Sequence, residues 1–287
     1  MKVNIHKLDG DEIPEILRQI AHPPKTLFFA GAHPSEWLDR PRVAVVGSRK
    51  ATSYGRTVTD KLVAELARAG VVIISGLAYG IDSVAHQAAL DAGGTTVAVL
   101  PTSIEEIYPS AHTNLARRIA EQGGTLISEY PKGTIGWRGN FIARNRLVSG
   151  LSDVLLITEA ALKSGSLHTA RFALEQGKTV MAVPGNILGP TSEGCNNLIK
   201  SGAIPVTSVD DIFFALKLSP QTPKKIVNFN GSDRERQVLE LIISGIAEQE
   251  ELALSAGMDG PEISSVLTTL EIGGHIRPQG GGNWTAA

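Results

Sequence analysis

Between residue 41 and about residue 218 the chain alternates short apolar runs with longer stretches in which apolar residues recur every three or four positions. The apolar runs cover 43–47, 71–75, 95–100, 125–128, 153–158 and 179–183, with a short one at 204–206. They are rich in Val, Ile and Leu and lack alternation, which is the pattern of parallel strands buried on both faces. Amphipathic stretches at 59–69 (periodic from about Tyr54), 81–92, 113–121 and 166–176 read as the helices between them. Repeated strand–helix units predict an α/β fold, an extended Rossmann-like, doubly wound parallel sheet over 41–218. Such sheets take ligands beyond the carboxyl ends of their strands, so the loops after each strand are the ones to read for function.

The flanks follow other patterns. Residues 1–40 hold a stretch of helical character at 13–20, stopped by Pro23-Pro24, and an apolar run at 27–31 that reads as an edge strand or extended arm. This segment is too small for a core of its own and is expected to pack as an N-terminal arm on the next domain. Pro220, Pro223, Lys224 and Lys225 mark 219–230 as a linker. Residues 231–287 offer three short amphipathic helices, at 233–244, 249–256 and 261–272, then a Gly-tipped hairpin, together the outline of a winged helix. Its third helix carries Glu262 and Glu271 and no Lys or Arg. Groove-reading helices present cations or amides, so this domain is expected to contact protein rather than DNA.

Charge sharpens the division. The net charge of −2 over 287 residues hides an asymmetry. Residues 231–287 hold nine acids and three basic residues, a net of −6, which leaves +4 on residues 1–230. The two parts should meet different partners. An apolar fraction of 42% excludes a disordered chain. The single cysteine, Cys195, excludes an intrachain disulfide and a metal site built on several thiolates. With no apolar signal segment and no run long enough to span a bilayer, a cytoplasmic protein is expected.

Candidate chemistry gathers on the loops after the strands. The first strand ends in Gly47-Ser48-Arg49 just before a helix, where backbone N–H groups, a hydroxyl and a guanidinium form a place for phosphate. Read blandly, it is an ordinary turn with a solvated Arg. The second loop holds Gly76 within Ser75-Gly76-Leu77-Ala78-Tyr79-Gly80, and a later one offers Lys163, Ser164, Gly165, Ser166 and Thr169. Pro184-Gly185-Asn186 follows the run at 179–183. Arg144, Asn145 and Arg146 lie on a helical stretch, preceded by Lys132, Trp137 and Arg138 on a Gly-rich loop. Interleaved cations and rings suit single-stranded nucleic acid, where charge follows the backbone and rings stack on bases. The bland alternative is a solvated helix face with one Arg in a structural ion pair. Asp82 is expected to cap the helix that begins near Ile81. His86 and His168 have no nucleophile beside them and are expected to be structural.

These stretches resemble the DprA/Smf family, the DNA-processing proteins of bacterial natural transformation and competence. The resemblance rests on V-A-V-V-G-S-R (43–49), S-G-L-A-Y-G-I-D-S-V-A-H (75–86), F-I-A-R-N-R-L-V-S-G-L (141–151) and T-E-A-A-L-K-S-G-S-L-H-T-A (158–170). It continues through A-V-P-G (182–185) and G-C-N-N-L-I-K-S-G-A (194–203). It implies a homodimeric mediator of DNA recombination, without catalysis or cofactor, that protects incoming single-stranded DNA and helps load the recombinase RecA. By motif, it places DNA phosphates at Gly47, Ser48 and Arg49, at Arg144-Asn145-Arg146, and on the 163–169 loop. Many relatives carry a further N-terminal helical domain, and 40 residues are too few to hold it. The acidic tail matches the family's variable winged helix.

Two other readings use the same rim. A LOG-type nucleotide phosphoribohydrolase would carry P-G-G-x-G-T-x-x-E. Here Pro184-Gly185-Asn186 lacks the second Gly, Glu175 falls too late, and Glu159 is the one acid just before the 163–169 loop. A mononucleotide-binding module is the other; it would not require so wide a basic surface.

Overall fold

The computed structural model describes residues 3–218, 231–243 and 246–286. They fall in two compact units, Met1–Gln221 and Thr222–Ala287. The linker expected over 219–230 lies outside the described residues.

The first unit is built on β3 (Arg42–Val46), where each of Val43, Ala44, Val45 and Val46 is buried. Alternate side chains leave a strand on opposite faces, so this run needs a helix layer on each side. Val43 and Val45 pack with Leu62, Val63 and Leu66 of α2 (Ser53–Arg68) and with Ala85 and Ala88 of α3 (Ile81–Asp91). Ala44 and Val46 share the opposite cluster with Leu147 and Val148 of α5 (Arg138–Gly150) and Ala170 and Ala173 of α6 (Ser166–Glu175). Leu66, Ile73 and Leu156 expose nothing, and full burial of such a side chain contributes roughly 1.5–3 kcal/mol.

The remaining strands are β1 (His6–Asp9), β2 (Thr26–Gly31), β4 (Val72–Ser75), β5 (Thr96–Leu100) and β6 (Thr125–Ser128), then β7 (Val154–Ile157), β8 (Thr179–Ala182) and β9 (Ile204–Pro205). Their order in the sheet is β1-β2-β6-β5-β4-β3-β7-β8-β9. From β6 to β9 all neighbours are parallel, with Val43 opposite Ile73 on one side and Val154 on the other. The chain winds outward from β3 in both directions, so the topological switch point lies between β3 and β7. α4 (Thr113–Glu121) buries Ala116 and Ile119 in a third cluster with Ala98, Leu100 and Leu126. α7 (Glu193–Lys200) and α8 (Val209–Ala215) follow β8 and β9; neither was anticipated from the sequence.

The first 40 residues do more than pack on the sheet. The run expected at an edge is β2, paired antiparallel to β6 on one side and to β1 on the other, so β1 forms the edge. The helix expected over 13–20 is a single turn, α1 (Glu15–Arg18). Trp37 is buried and donates its Nε1 hydrogen to Thr125 Oγ1 at 2.9 Å, tying the segment to β6.

The second unit contains α9 (Asp233–Ile243), α10 (Gln249–Ala256) and α11 (Gly260–Ile272), followed by the hairpin β10 (Ile276–Gly280) and β11 (Asn283–Ala286). Val238, Leu252, Ile263, Leu267, Leu270 and Ile276 form its core. Asp259 caps α11 by accepting from Glu262 N at 2.9 Å, and Gly257 closes α10 at φ 65°. Ser264, Ser265, Thr268 and Thr269 face solvent on α11, and Glu262 pairs with Arg234. The face a groove-reading helix would use is thus hydroxyl-rich and without Lys or Arg.

Candidate nucleic-acid interface

The loop after β3 is held by its neighbours. A Cβ on Gly47 would stand 2.6 Å from Ile81 Cγ1 and 2.7 Å from the Glu159 carbonyl oxygen, so only glycine lets the turn pack there. Ser48 N donates to Glu159 O at 2.7 Å, Ser48 O accepts from Ile81 N at 3.1 Å, and Ser48 Oγ accepts from Lys50 N at 3.1 Å. Gly47 and Ser48 therefore shape the loop. What the loop offers outward is Arg49, exposed, with its guanidinium 5.4 Å from the centre of the Phe141 ring.

Around this pair stand aromatics absent from the sequence-based site. Tyr108 meets Phe141 edge-on with centroids 5.2 Å apart, and Tyr79 meets His112 at 5.0 Å. Tyr79 and Tyr108 are each about half exposed. Arg49, Tyr79, Tyr108 and Phe141 share a hollow of about 30 Å³. Tyr79 and Phe141 lie inside the quoted motifs, whereas Tyr108 sits on the long loop after β5, where periodicity carries no signal. Lys132, Trp137 and Arg138, named from the sequence, are exposed.

The second loop is organised by Asp82. It does not cap α3, whose N-cap is Gly80; its carboxylate accepts from Gly76 N at 3.1 Å and Ala78 N at 3.4 Å. Burial raises the Asp82 pKa, opposed by the nearby Arg144 cation and by those two N–H groups.

Arg144 and Arg146 were expected to face phosphate; both are committed inside the protein. Arg144 is 3% exposed, and its Nη1 donates to Gly76 O at 2.7 Å and to Val99 O. It clamps the carboxyl ends of β4 and β5. A Cβ on Gly76 would lie 2.5 Å from this guanidinium, so the glycine is the room the arginine occupies. Burial pulls the Arg144 pKa down to about 10, with Asp82 acting in the other direction. Arg146, on another face of α5, pairs with Glu129 at 2.6 Å and donates to His22 O at 2.9 Å. Asn145 is half-buried, and its Oδ1 accepts from Arg144 Nε at 3.2 Å. The physical reason is position: α5 lies against the sheet, where buried carbonyls and a buried carboxylate compete for its cations.

On the 163–169 loop the candidates separate. Lys163 and Gly165 are exposed and Ser164 is half-buried, whereas Ser166 and Thr169 are buried. Ser164 Oγ and Ser166 Oγ hydrogen-bond to each other at 2.8 Å. Glu159, just before this loop, is 2% exposed, and its carboxylate accepts from Thr52 N at 3.2 Å and from the Thr52 hydroxyl. Cys195 is buried, and burial pushes its thiol pKa up to about 12, outside the range of a reactive thiolate. Buried His86 bonds Thr96 Oγ1 at 2.7 Å, as a structural histidine does, while His168 is exposed. Among the described residues no group of three or more His, Cys, Asp or Glu side chains is placed to hold a metal ion.

The chain thus combines a doubly wound α/β domain, carrying an arginine–aromatic rim at its strand ends, with a winged helix that follows it in sequence. Residues 4–217 match the family described as DNA recombination-mediator protein A, and residues 219–282 match the DprA winged helix domain. The chain belongs to this DprA/Smf family. Protein Smf of Escherichia coli K12 is 40% identical over 284 residues, covering 96% of this chain and 75% of its own. A putative DNA processing protein DprA of Mycobacterium tuberculosis is 39% identical, covering 90% and 67%. The crystal structure of DprA from Streptococcus pneumoniae is similar with a TM-score of 0.68 at 39% identity, covering 73% of this chain and 74% of that one. DNA processing protein A from Helicobacter pylori, described for its single-stranded DNA binding mode, gives 0.68 at 36%, covering 75% and 96%.

Proposed function

We propose that this chain is a single-stranded DNA-binding recombination mediator that acts without catalysis. The observation that carries the reading is Arg49, exposed on Phe141 and flanked by Tyr79 and Tyr108 at the carboxyl end of the sheet. An exposed cation for phosphate beside rings for bases is the recognition chemistry of single strands. Lys50, Lys132, Arg138 and Lys163, all exposed, extend the charge. Of the residues first assigned to phosphate, Arg49, Lys163 and Gly165 face the strand. Gly47, Ser48, Gly76, Arg144, Asn145, Arg146, Ser166 and Thr169 hold the loops, and Ser164 stands between the two groups.

In this reading the protein protects incoming strands and helps load RecA during DNA uptake. It works as a homodimer and uses its acidic winged helix on a protein partner. The setting is the cytoplasm; no helix among the described residues is long and apolar enough to cross a membrane. The phosphoribohydrolase alternative loses support at Glu159, whose buried carboxylate is occupied by Thr52.

Fluorescence anisotropy of a labelled oligo-dT at two salt concentrations tests the reading. The expectation is binding that weakens steeply with salt and prefers single strands to duplex. No binding at low salt sinks it, and release of ribose phosphate from a nucleoside monophosphate would revive the enzyme.

A further inference from the structure

On the far side of the Arg49 loop lies a groove of about 540 Å³, bordered by Thr52, Tyr54, Pro184, Asn186, Thr191 and Ser192. It sits beyond the carboxyl end of β8, at the start of α2. In a nucleotide-binding crevice of this topology the helix N-terminus beside the switch point is the phosphate seat. Here that seat is filled from within. Thr52 N and the Thr52 hydroxyl both donate to the Glu159 carboxylate, and Gly55 N donates to Thr52 Oγ1 at 3.2 Å. Thr52 N and Gly55 N are thus taken and a buried carboxylate stands behind them, so a phosphate entering the groove meets a like charge.

What the groove offers instead is a fixed ring and neutral polar groups. Tyr54 is half exposed, and its hydroxyl donates to Pro184 O at 2.8 Å, which pins the ring at the groove wall. Asn186 Oδ1 accepts from Leu188 N at 2.9 Å, leaving the amide's NH2 as a donor. Ser192 and Thr191 supply hydroxyls. Immobilising a ring before binding lowers the entropy cost of stacking on it. Arg49 and Tyr54 are five residues apart, at most roughly 18 Å of extended chain.

From this we infer that the Tyr54 groove is a nucleobase subsite of the single-strand path: a base enters and stacks on Tyr54 while its phosphates stay outside on Arg49 and Lys50. The inference rests on the single-strand reading above and assigns it a second contact region.

The test uses labelled oligo-dT of fifteen nucleotides on the full chain. Tyr54→Ala should weaken the 15-mer about tenfold or more, the range of one lost base stack. Tyr54→Phe should keep most of the 15-mer affinity. Arg49→Ala should weaken it. A 15-mer carrying 5-iodouracil, irradiated with the wild-type chain, should form adducts at Tyr54 or within 184–192, a measurement independent of whether any variant folds. Inorganic phosphate should not displace the 15-mer from the groove. Wild-type affinity of Tyr54→Ala for the 15-mer, or adducts confined to the Arg49 rim, overturns the subsite and leaves the single-strand reading standing. Binding unaffected by Arg49→Ala, or no binding by the wild type, overturns the reading beneath it and the subsite with it.

Discussion

Arg49 and Arg144 line the same small hollow, the first exposed and the second buried, and two variants separate the roles proposed for them. Arg49→Ala removes an exposed cation that has no ion pair among the described residues. Its stability cost should stay within about 0.5 kcal/mol, as for most surface changes. Losing one charge-assisted bond to phosphate removes about 1.5–3 kcal/mol of binding, which is roughly 10- to 150-fold in Kd. The slope of log affinity against log salt should fall by about 0.7, the single-strand value for one phosphate. Arg144→Met keeps most of the stem and deletes the guanidinium. Two buried carbonyls, Gly76 O and Val99 O, then lose a charged donor, at about 1–3 kcal/mol each. Against this, a pKa near 10 where 12.5 is normal means that burial already disfavours the cation by about 3 kcal/mol. The net loss is about 1 kcal/mol, which lowers the urea midpoint by roughly 0.3–0.5 M for a slope of about 2–3 kcal/mol/M. Urea unfolding and anisotropy on both variants decide. Loss of DNA binding by Arg144→Met at an unchanged midpoint would refute the structural role, because the guanidinium would then be serving the ligand.

Three further perturbations probe the same frame. Gly76→Ala drives a Cβ to 2.5 Å from the Arg144 guanidinium and should cost about 1–3 kcal/mol in urea; an unchanged midpoint would mean that the arginine has room to move. His86 is buried beside His112 and Arg144, and its pKa falls from 6.5 to about 3, chiefly through burial. The unfolded chain takes up that proton near pH 6.5 and the folded chain does not, so this contribution to stability is full above pH 6.5 and is lost as pH falls toward 3. Unfolding at pH 7.5, 5.5 and 4 should show a flatter profile for His86→Leu than for the wild type, and parallel profiles would remove His86 as the cause. Glu159→Gln replaces one of the two oxygens that accept from Thr52 with an NH2 donor and removes the charge at the α2 N-terminus. A loss of about 1–3 kcal/mol at neutral pH is expected, and none would show the carboxylate to be dispensable.

The sheet was largely legible because its strands are apolar runs with glycine ends, and such runs have few alternatives in a chain of this size. α4 appears at the bounds its periodicity predicts, Thr113–Glu121. Elements with thin patterns escaped. β1 is H-K-L-D, in which Leu8 alone is buried, and it pairs only because β2 lies beside it. α7 reads E-G-C-N-N-L-I-K, where glycine and two asparagines mask a face made of Cys195, Leu198 and Ile199. α8 opens at a Ser208 capping box, yet it spans only seven residues, too few for a period to show. The 27–31 run was legible as a strand and not as an inner one, because nothing in its own residues reports which neighbours pair with it.

Whether a candidate side chain points outward or inward was not legible in the sequence, and Arg144 shows why. A cation next to asparagine on a polar-looking stretch carries no mark of direction, and helix α5 has polar residues on more than one face. The discriminating information lay elsewhere in the chain. Gly76, assigned to phosphate for its bare backbone, is bare because Arg144 lies where its Cβ would be. Asp82, assigned to a cap, lies in the same electrostatic neighbourhood and pulls against the burial that lowers the Arg144 pKa. A glycine, an acid and an arginine spread over nearly 70 residues form one buried unit at the ends of β4 and β5, and none of their motifs says so alone. Arg49 stands beside that unit with its guanidinium exposed, and its charge acts on both Asp82 and Arg144. Phe141 then holds it at the surface. In the single-strand reading proposed above, the exposed Arg49, rather than the buried Arg144 of the more polar motif, is the arginine that meets the strand.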